Sequence, residues 1–211
     1  MTDYYPVSLN VAGRPCLVVG AGPVAARKVG SLLAAGALVT VIAPDISPEM
    51  ADLDVTIFRR PYAASDIAGF RLVITATGDP AVDTAVFSDS EAAGVWVNSA
   101  DDPTNCSFIL PSVHRDGPVT ISVSTAGVSP ALATWLRGRL AAAAGPGVGE
   151  LANLLGLART RIHAEGISTE TIDWAALLDG PLPGLLAAGQ TEEAVRLIEA
   201  ATGITGLSDF A

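Results

Sequence analysis

The chain is poor in the residues that serve nucleic-acid, metal and disulfide sites. Its 211 residues include a single lysine, and its 12 basic residues stand against 22 acidic ones, which gives a net charge of −10. The basic surface of a nucleic-acid-binding protein is therefore missing. The two cysteines, Cys16 and Cys106, lack metal-type spacing, and the two histidines, His114 and His163, lie far apart. These spacings predict neither a metal site nor a disulfide framework.

Apolar runs of membrane-spanning length are also missing. The longest uncharged stretches, 29–44 and 119–136, are interrupted by glycine or are rich in Ser, Thr, Gly and Pro, whereas a span needs about 20 mostly apolar residues. The first residues do not form the basic and then apolar pattern of a secretory signal. We therefore expect a cytoplasmic protein with reduced thiols and no membrane partner.

The most informative segment that is present is Gly20–Ala25. It follows the apolar, strand-like run Cys16–Val19 and opens an apolar-periodic segment that ends at Gly36. A strand, a glycine turn and a helix in this order are the context of the dinucleotide-binding fingerprint. The first glycine makes the tight turn, and the second lets the backbone approach a pyrophosphate at the helix N-terminus.

Strand-like and helix-like segments alternate beyond this turn. We expect strands at 15–19, 38–42, 55–58, 72–76, 95–97 and 119–123, helices at 23–35, 79–93 and 129–143, and a lead-in at 1–9 that adds an edge strand. The pattern predicts an α/β fold: a Rossmann-like, doubly wound, mainly parallel sheet followed by a small helical C-terminal region. The expected domains are an NAD-binding domain over 1–113, a connecting segment over 114–145, and a helical domain over 146–211, in which we expect short helices separated by glycine and proline.

Polar residues follow three of the predicted strands. Asp45 stands two or three residues later than the acid that usually binds the ribose hydroxyls, so a ribose contact and a cap of the following turn are equally supported. No arginine stands there, which favours NAD over NADP. Thr77 follows the fourth strand and is either a cofactor contact or part of a plain turn. Asp101 follows the fifth strand and is a candidate general base, although spacing alone favours a solvated turn.

Three motifs give the chain a family resemblance. They are Cys16–Lys28 with its Ala-Ala-Arg-Lys ending, Asn98–Ser112, and Ile121–Ala133. In order and spacing they resemble the siroheme synthase N-terminal family of precorrin-2 dehydrogenases and sirohydrochlorin ferrochelatases. The resemblance implies an oxidoreductase of siroheme (porphyrin) biosynthesis, which uses NAD to convert precorrin-2 to sirohydrochlorin. It also implies a homodimer, with residues 114–145 as the dimerisation and substrate segment. A second, lyase activity that inserts Fe²⁺ into sirohydrochlorin is left open.

The resemblance also implies site residues. The catalytic carboxylate falls on Asp101. The residues expected to contact NAD, by resemblance or by position, are Gly20, Gly22, Pro23, Val24, Pro44, Asp45 and Thr77. By residue type and position rather than by resemblance, donors for the carboxylates of the tetrapyrrole are expected at Ser124, Ser129, His114 and Arg115. The simpler roles are helix capping for Ser129 and a surface position for His114 and Arg115.

Two other classes of function are compatible with parts of the sequence. An NAD-sensing regulatory domain would share the glycine turn but would not need the two downstream motifs. A tetrapyrrole chelatase or carrier without redox activity would not need the glycine turn. Because the sequence ends at Ala211, we expect no further methyltransferase domain.

Overall fold

The computed structural model describes residues 4–100 and 102–207. The chain divides into two compact units, Met1–Leu110 and Pro111–Ala211.

The first unit is built on a five-stranded parallel sheet. Its strands are β1 (Pro15–Val19), β2 (Leu38–Ile42), β3 (Thr56–Phe58), β4 (Leu72–Thr75) and β5 (Trp96–Ser99), in the spatial order β3-β2-β1-β4-β5. This order confirms the predicted Rossmann-like fold. The direction of winding reverses between β1 and β4, and ligands of such sheets bind at the carboxyl ends of the strands at that point.

Helices cover both faces of this sheet. They are α1 (Pro23–Ala34), α2 (Pro48–Ala51) and α3 (Pro80–Ala92), with 3₁₀ turns at Ala64–Ile67 and Pro103–Asn105. One apolar core includes Val18 of β1 and Val29 of α1, while the other includes Leu17 of β1 and Val86 of α3. Neighbouring residues of β1 thus enter opposite cores, as expected for a strand buried on both faces.

The second unit begins with an antiparallel hairpin of β6 (Ser112–Asp116) and β7 (Val119–Val123). Five helices follow: α4 (Pro130–Ala144), α5 (Val148–Ala164), α6 (Trp174–Leu178), α7 (Leu182–Ala187) and α8 (Thr191–Thr202), with a 3₁₀ turn at Thr169–Thr171. Their core includes the fully buried Leu154, Ile162, Leu182 and Ile198. Among the described residues no single helix could span a membrane; α4 and α5 meet the length and composition criteria only as a pair bent by 57°.

Three expectations about local structure differ from the fold. Residues 4–9, the described part of the lead-in, form no strand and do not pair with the sheet. The strand predicted at 119–123 exists, but it pairs with β6, which the sequence pattern did not predict. The C-terminal tail was expected to hold short helices, yet α5 is 17 residues long.

Candidate functional site

A cleft of about 800 Å³ opens at the carboxyl ends of β1, β2 and β4. Its position is the switch point of the sheet, where a dinucleotide is expected to bind. Five residues predicted to contact the cofactor line it: Gly20, Gly22, Pro44, Asp45 and Thr77. The other two, Pro23 and Val24, are the first residues of α1.

The two glycines of the turn have different constraints. Gly20 has a φ of +104°, and a Cβ there would lie closer than van der Waals contact to the carbonyl oxygen of Ala76. Gly22 has an ordinary φ of −79°, and a Cβ there would meet nothing within 4 Å. Folding therefore requires glycine at position 20. At position 22 the missing side chain leaves open space beside the cleft, which a bound group can fill.

The first turn of α1 presents free amide donors. Pro23 has no N–H, and the first amide of this turn with an acceptor is that of Ala26, which donates to the Gly22 carbonyl at 3.0 Å. Within the described part of the chain, the Val24 and Ala25 amides have no hydrogen-bond acceptor. Two unpaired donors at the positive end of the helix dipole, beside the space at Gly22, form a suitable site for a pyrophosphate.

The loop after β2 is fastened to the glycine turn. The Ser47 amide donates to the Ala21 carbonyl at 3.0 Å, and the Ser47 hydroxyl accepts from the Met50 amide and caps α2. The cap expected as the alternative role of Asp45 therefore belongs to Ser47. The Asp45 carboxylate is exposed and lines the cleft, where a ribose hydroxyl would be an available partner.

A buried carboxylate holds the loop after β4. Asp83 of α3 accepts hydrogen bonds from the hydroxyls of Thr75 and Thr77, the latter at 2.7 Å. Asp83 is 8% exposed and Thr75 is fully buried. Thr77 lines the cleft, so this network fixes one of its walls. The sequence pattern did not reveal Asp83, because helical periodicity does not show which polar residue faces a neighbouring strand.

The charge of the cleft is negative. Its described lining residues include two carboxylates, Asp45 and Asp79, and neither lysine nor arginine. The Asp79 carboxylate caps α3 by accepting from the Ala81 amide at 2.9 Å. An anionic ligand must therefore be held here by backbone amides rather than by basic side chains.

The Asn98–Ser112 motif holds the loop that follows β5 against the sheet through hydrogen bonds. The Asn98 side-chain amide donates to the Phe108 carbonyl at 3.0 Å, and the Cys106 thiol accepts from the Ser99 amide at 3.2 Å. Burial raises the pKa of Cys106, so the thiol stays protonated and structural near neutral pH. These residues hold the ends of the segment that carries the adjacent aspartates.

The two adjacent aspartates differ in what the structure describes. Asp102 caps the 3₁₀ turn, and its pKa is lowered mainly because the Thr104 hydroxyl donates to it at 2.6 Å. Asp102 therefore serves the turn. Asp101, the predicted catalytic carboxylate, lies outside the described residues. In the described part of the chain, no three or more His, Cys, Asp and Glu side chains are grouped to hold a metal ion.

The predicted substrate-binding residues lie in the second unit. Ser129 caps α4 by accepting from the Leu132 amide at 3.3 Å, and the Ser124 hydroxyl accepts from the Ala126 amide at 3.1 Å. His114 and Arg115 are neighbours in β6 and thus point to opposite faces of the hairpin. They cannot both reach a ligand on the same face of that hairpin.

Comparisons with known proteins give two family matches. The family described as "Putative NAD(P)-binding" matches residues 7–112, half of the chain, and the family described as "Sirohaem biosynthesis protein central" matches residues 116–143. The first description supports a nicotinamide cofactor without distinguishing NAD from NADP.

Relatives and a solved structure agree with these matches. The chain is 40% identical to the siroheme synthase of Nitrosococcus oceani over 205 residues and 41% identical to that of Methylococcus capsulatus over 207 residues. Each alignment covers 94% of this chain but only 44% of the relative, so the chain spans less than half the length of these proteins. The structure of SirC, a precorrin-2 dehydrogenase, matches with a TM-score of 0.73 at 25% identity, over 93% of this chain and 100% of SirC. The chain therefore belongs to the NAD(P)-binding family, within the siroheme synthase group that its three sequence motifs resemble.

Proposed function

We propose that the chain catalyses the NAD-dependent dehydrogenation of precorrin-2 to sirohydrochlorin in siroheme biosynthesis. The observation that carries the proposal is the cleft at the switch point, with its open space at Gly22 and its free amides at Val24 and Ala25. Support for the substrate comes from the name of the structural neighbour, precorrin-2 dehydrogenase, and from the siroheme synthase relatives.

The residues of the cleft divide the work of holding a dinucleotide. The Val24 and Ala25 amides bind the pyrophosphate, and Gly22 leaves room for it. Pro23 fixes the first turn of α1 and Pro44 shapes the loop that carries Asp45, whose carboxylate binds the ribose hydroxyls. Thr77, held by Asp83, lines the opposite wall. A bound NAD would supply the hydride acceptor for the oxidation of the tetrapyrrole, which would also release one proton.

The cleft charge supports NAD rather than NADP. The 2′-phosphate of NADP would bring about two negative charges into a cleft that has Asp45 and Asp79 and no basic side chain among its described lining residues. Replacing Asp45 by Ala should weaken NAD binding and bring the ratio of the Kd for NADP to the Kd for NAD closer to one. Calorimetric titration with both cofactors measures the ratio; a wild-type chain that binds NADP as tightly as NAD contradicts this assignment.

We assign proton transfer and substrate binding to a residue after β5 and to residues of the second unit. Asp101 accepts the proton or holds the macrocycle. Ser124, Ser129 and one member of the pair His114 and Arg115 are proposed to bind the carboxylates of the macrocycle. The capping bond of Ser129 leaves its hydroxyl hydrogen available as a donor. Because His114 and Arg115 lie on opposite faces of β6, only one of the two variants His114→Ala and Arg115→Ala should have a raised KM for precorrin-2.

We also propose that the chain forms a homodimer through α4. Three of its apolar side chains are strongly exposed for their type: Leu132 at 45%, Trp135 at 58% and Leu140 at 48%. Such a face in a helix of 15 residues is typical of an interaction surface. Sedimentation at micromolar concentration should give a dimer for the chain and a monomer for Trp135→Lys; a monomeric wild type contradicts the proposal.

The test of the dehydrogenase uses the purified chain with anaerobically prepared precorrin-2. Sirohydrochlorin should form when NAD is added, and Asp101→Asn, which keeps the size of the side chain, should slow its formation at least about 100-fold. Asp102→Asn is the matched control, because Asp102 serves the turn. A second arm supplies sirohydrochlorin and Fe²⁺ as substrates and tests chelation separately. Unchanged rates for Asp101→Asn would remove that residue from the mechanism.

A further inference from the structure

A second cavity, of about 700 Å³, lies at the amino edge of the parallel sheet, opposite the cofactor cleft. Its walls are the residue before β1, the starts of β4 and β5, the loops before β4 and β5, and the end of the lead-in segment. This volume falls within the range of small-molecule sites. None of the predicted cofactor or substrate residues lines the cavity, so the dehydrogenase proposal leaves it unused.

Three hydrogen-bond donors stand side by side at this edge. Arg14 directly precedes β1 and Arg71 directly precedes β4. The two strand starts adjoin, since the Arg71 amide donates to the Pro15 carbonyl at 2.9 Å. Trp96 opens β5 and is paired in register with Leu72. Because β1, β4 and β5 are neighbours in the sheet, the arginines and the indole form one row along the edge.

These donors have no partner in the described parts of the chain. Neither guanidinium forms a hydrogen bond or a salt bridge there, and the indole N–H of Trp96 has no acceptor there. The described lining residues include no aspartate or glutamate, although acidic residues outnumber basic ones by 22 to 12 in the chain. Two like charges on neighbouring strands repel each other, and an anion bound between them offsets this repulsion by attracting both guanidiniums.

The rest of the cavity surface is apolar. Leu9 and Trp96 are 48% and 46% exposed, which is high for such side chains, and Phe70 also lines the cavity. Trp96 is supported from within by the ring of Phe108, with centroids 6.5 Å apart. Paired guanidiniums beside an aromatic surface match a ligand with one anionic end and one apolar end.

We propose that the amino edge of the sheet is a second ligand site, which binds a small organic acid with a planar or apolar body. The carboxylate lies between Arg14 and Arg71, and the apolar body lies against Trp96 and Leu9. The site is independent of the dinucleotide cleft, because no residue lines both cavities.

The test uses 1-naphthoate as the probe and the full chain as the protein. Indole N–H signals of Trp96, Trp135 and Trp174 are followed by ¹⁵N–¹H spectroscopy during the titration, with Trp96→Phe used to assign the first signal. The Trp96 signal should move saturably while the other two stay in place. The neutral analogue 1-naphthylmethanol should bind at least about tenfold more weakly, because it lacks the charge that the guanidiniums recognise.

Arginine variants then test which side chains bind the carboxylate of the probe. Arg14→Gln combined with Arg71→Gln should weaken naphthoate binding at least about tenfold, whereas the matched pair Arg159→Gln and Arg196→Gln, on exposed helical surfaces, should leave it unchanged. Raising salt should weaken binding to the wild type, a measurement that does not depend on how the variants fold. A saturating concentration of NAD should not displace the probe. No saturable shift at Trp96, equal binding by the Arg14/Arg71 variant, or displacement by NAD would each overturn the proposal.

Discussion

Replacing Gly22 by Asp should weaken cofactor binding without destabilising the fold. The space around a Cβ at position 22 is open, and the backbone there has a φ that any residue adopts. Position 22 is also the N-cap of α1, and that cap has no side-chain hydrogen bond. Aspartate is a favoured N-cap residue, so Gly22→Asp should leave the free energy of unfolding unchanged or raise it by a few tenths of a kcal/mol.

The same substitution should remove cofactor binding. A carboxylate about 4 Å from a pyrophosphate charge costs about 4 kcal/mol at an effective dielectric constant of about 20. Solvent in the open cleft reduces that repulsion, so the affinity for NAD should fall roughly 100- to 1,000-fold. Gly22→Asn has nearly the same shape without the charge and should lose less. Calorimetric titration with NAD measures the affinity, and thermal unfolding measures the stability.

Gly20→Ala is the comparison variant, which should destabilise the fold where Gly22→Asp does not. Its Cβ would overlap the Ala76 carbonyl oxygen at a φ of +104°, and the combined strain and overpacking should cost about 2–5 kcal/mol of stability. If Gly22→Asp binds NAD as well as the wild type, or if it loses as much stability as Gly20→Ala, the assignment of the pyrophosphate to this turn is refuted.

Two further predictions concern hydrogen bonds around the cleft. Asp83→Ala should lower the free energy of unfolding by about 1–3 kcal/mol and raise the KM for NAD, since it removes the carboxylate oxygen that accepts from both Thr75 and Thr77; an unchanged KM would show that this network does not position the wall of the cleft. Burial and the hydrogen bond to Asp89 raise the pKa of Tyr62 above its usual value, so its contribution to stability is present below about pH 10 and is lost as the pH rises further. Denaturant unfolding at alkaline pH should therefore show a steeper loss of stability for the wild type than for Tyr62→Phe, and parallel curves would contradict this linkage.

The order of strands and helices in the first unit was predictable from local pattern. Apolar runs bounded by glycine, such as Cys16–Val19 before Gly20, give a clear strand signal, and Gly36, with a φ of +76°, ends the first helix region as predicted. β6 could not be found in this way, because Ser112–Asp116 has histidine, arginine and aspartate within five residues. Its partner β7 supplies the pairing that makes it a strand.

The site was less predictable than the fold. Gly20 and Gly22 look alike in a motif, and only the position of the Ala76 carbonyl distinguishes the structural glycine from the one that leaves room for a ligand. Cys106 and Asn98 belong to a motif that resembles an active-site segment, yet the structure gives them the work of fastening a loop. Such roles depend on contacts between residues that are distant along the chain, which periodicity does not report.

The central claim is that this chain transfers a hydride from precorrin-2 to NAD. The most direct measurement is the stoichiometry of NADH and sirohydrochlorin formed anaerobically by the purified chain, followed together by absorbance. We predict one NADH for each sirohydrochlorin and neither product with Gly22→Asp at the same NAD concentration. Sirohydrochlorin formed at the same rate without NAD, or no product with NAD bound, would contradict it.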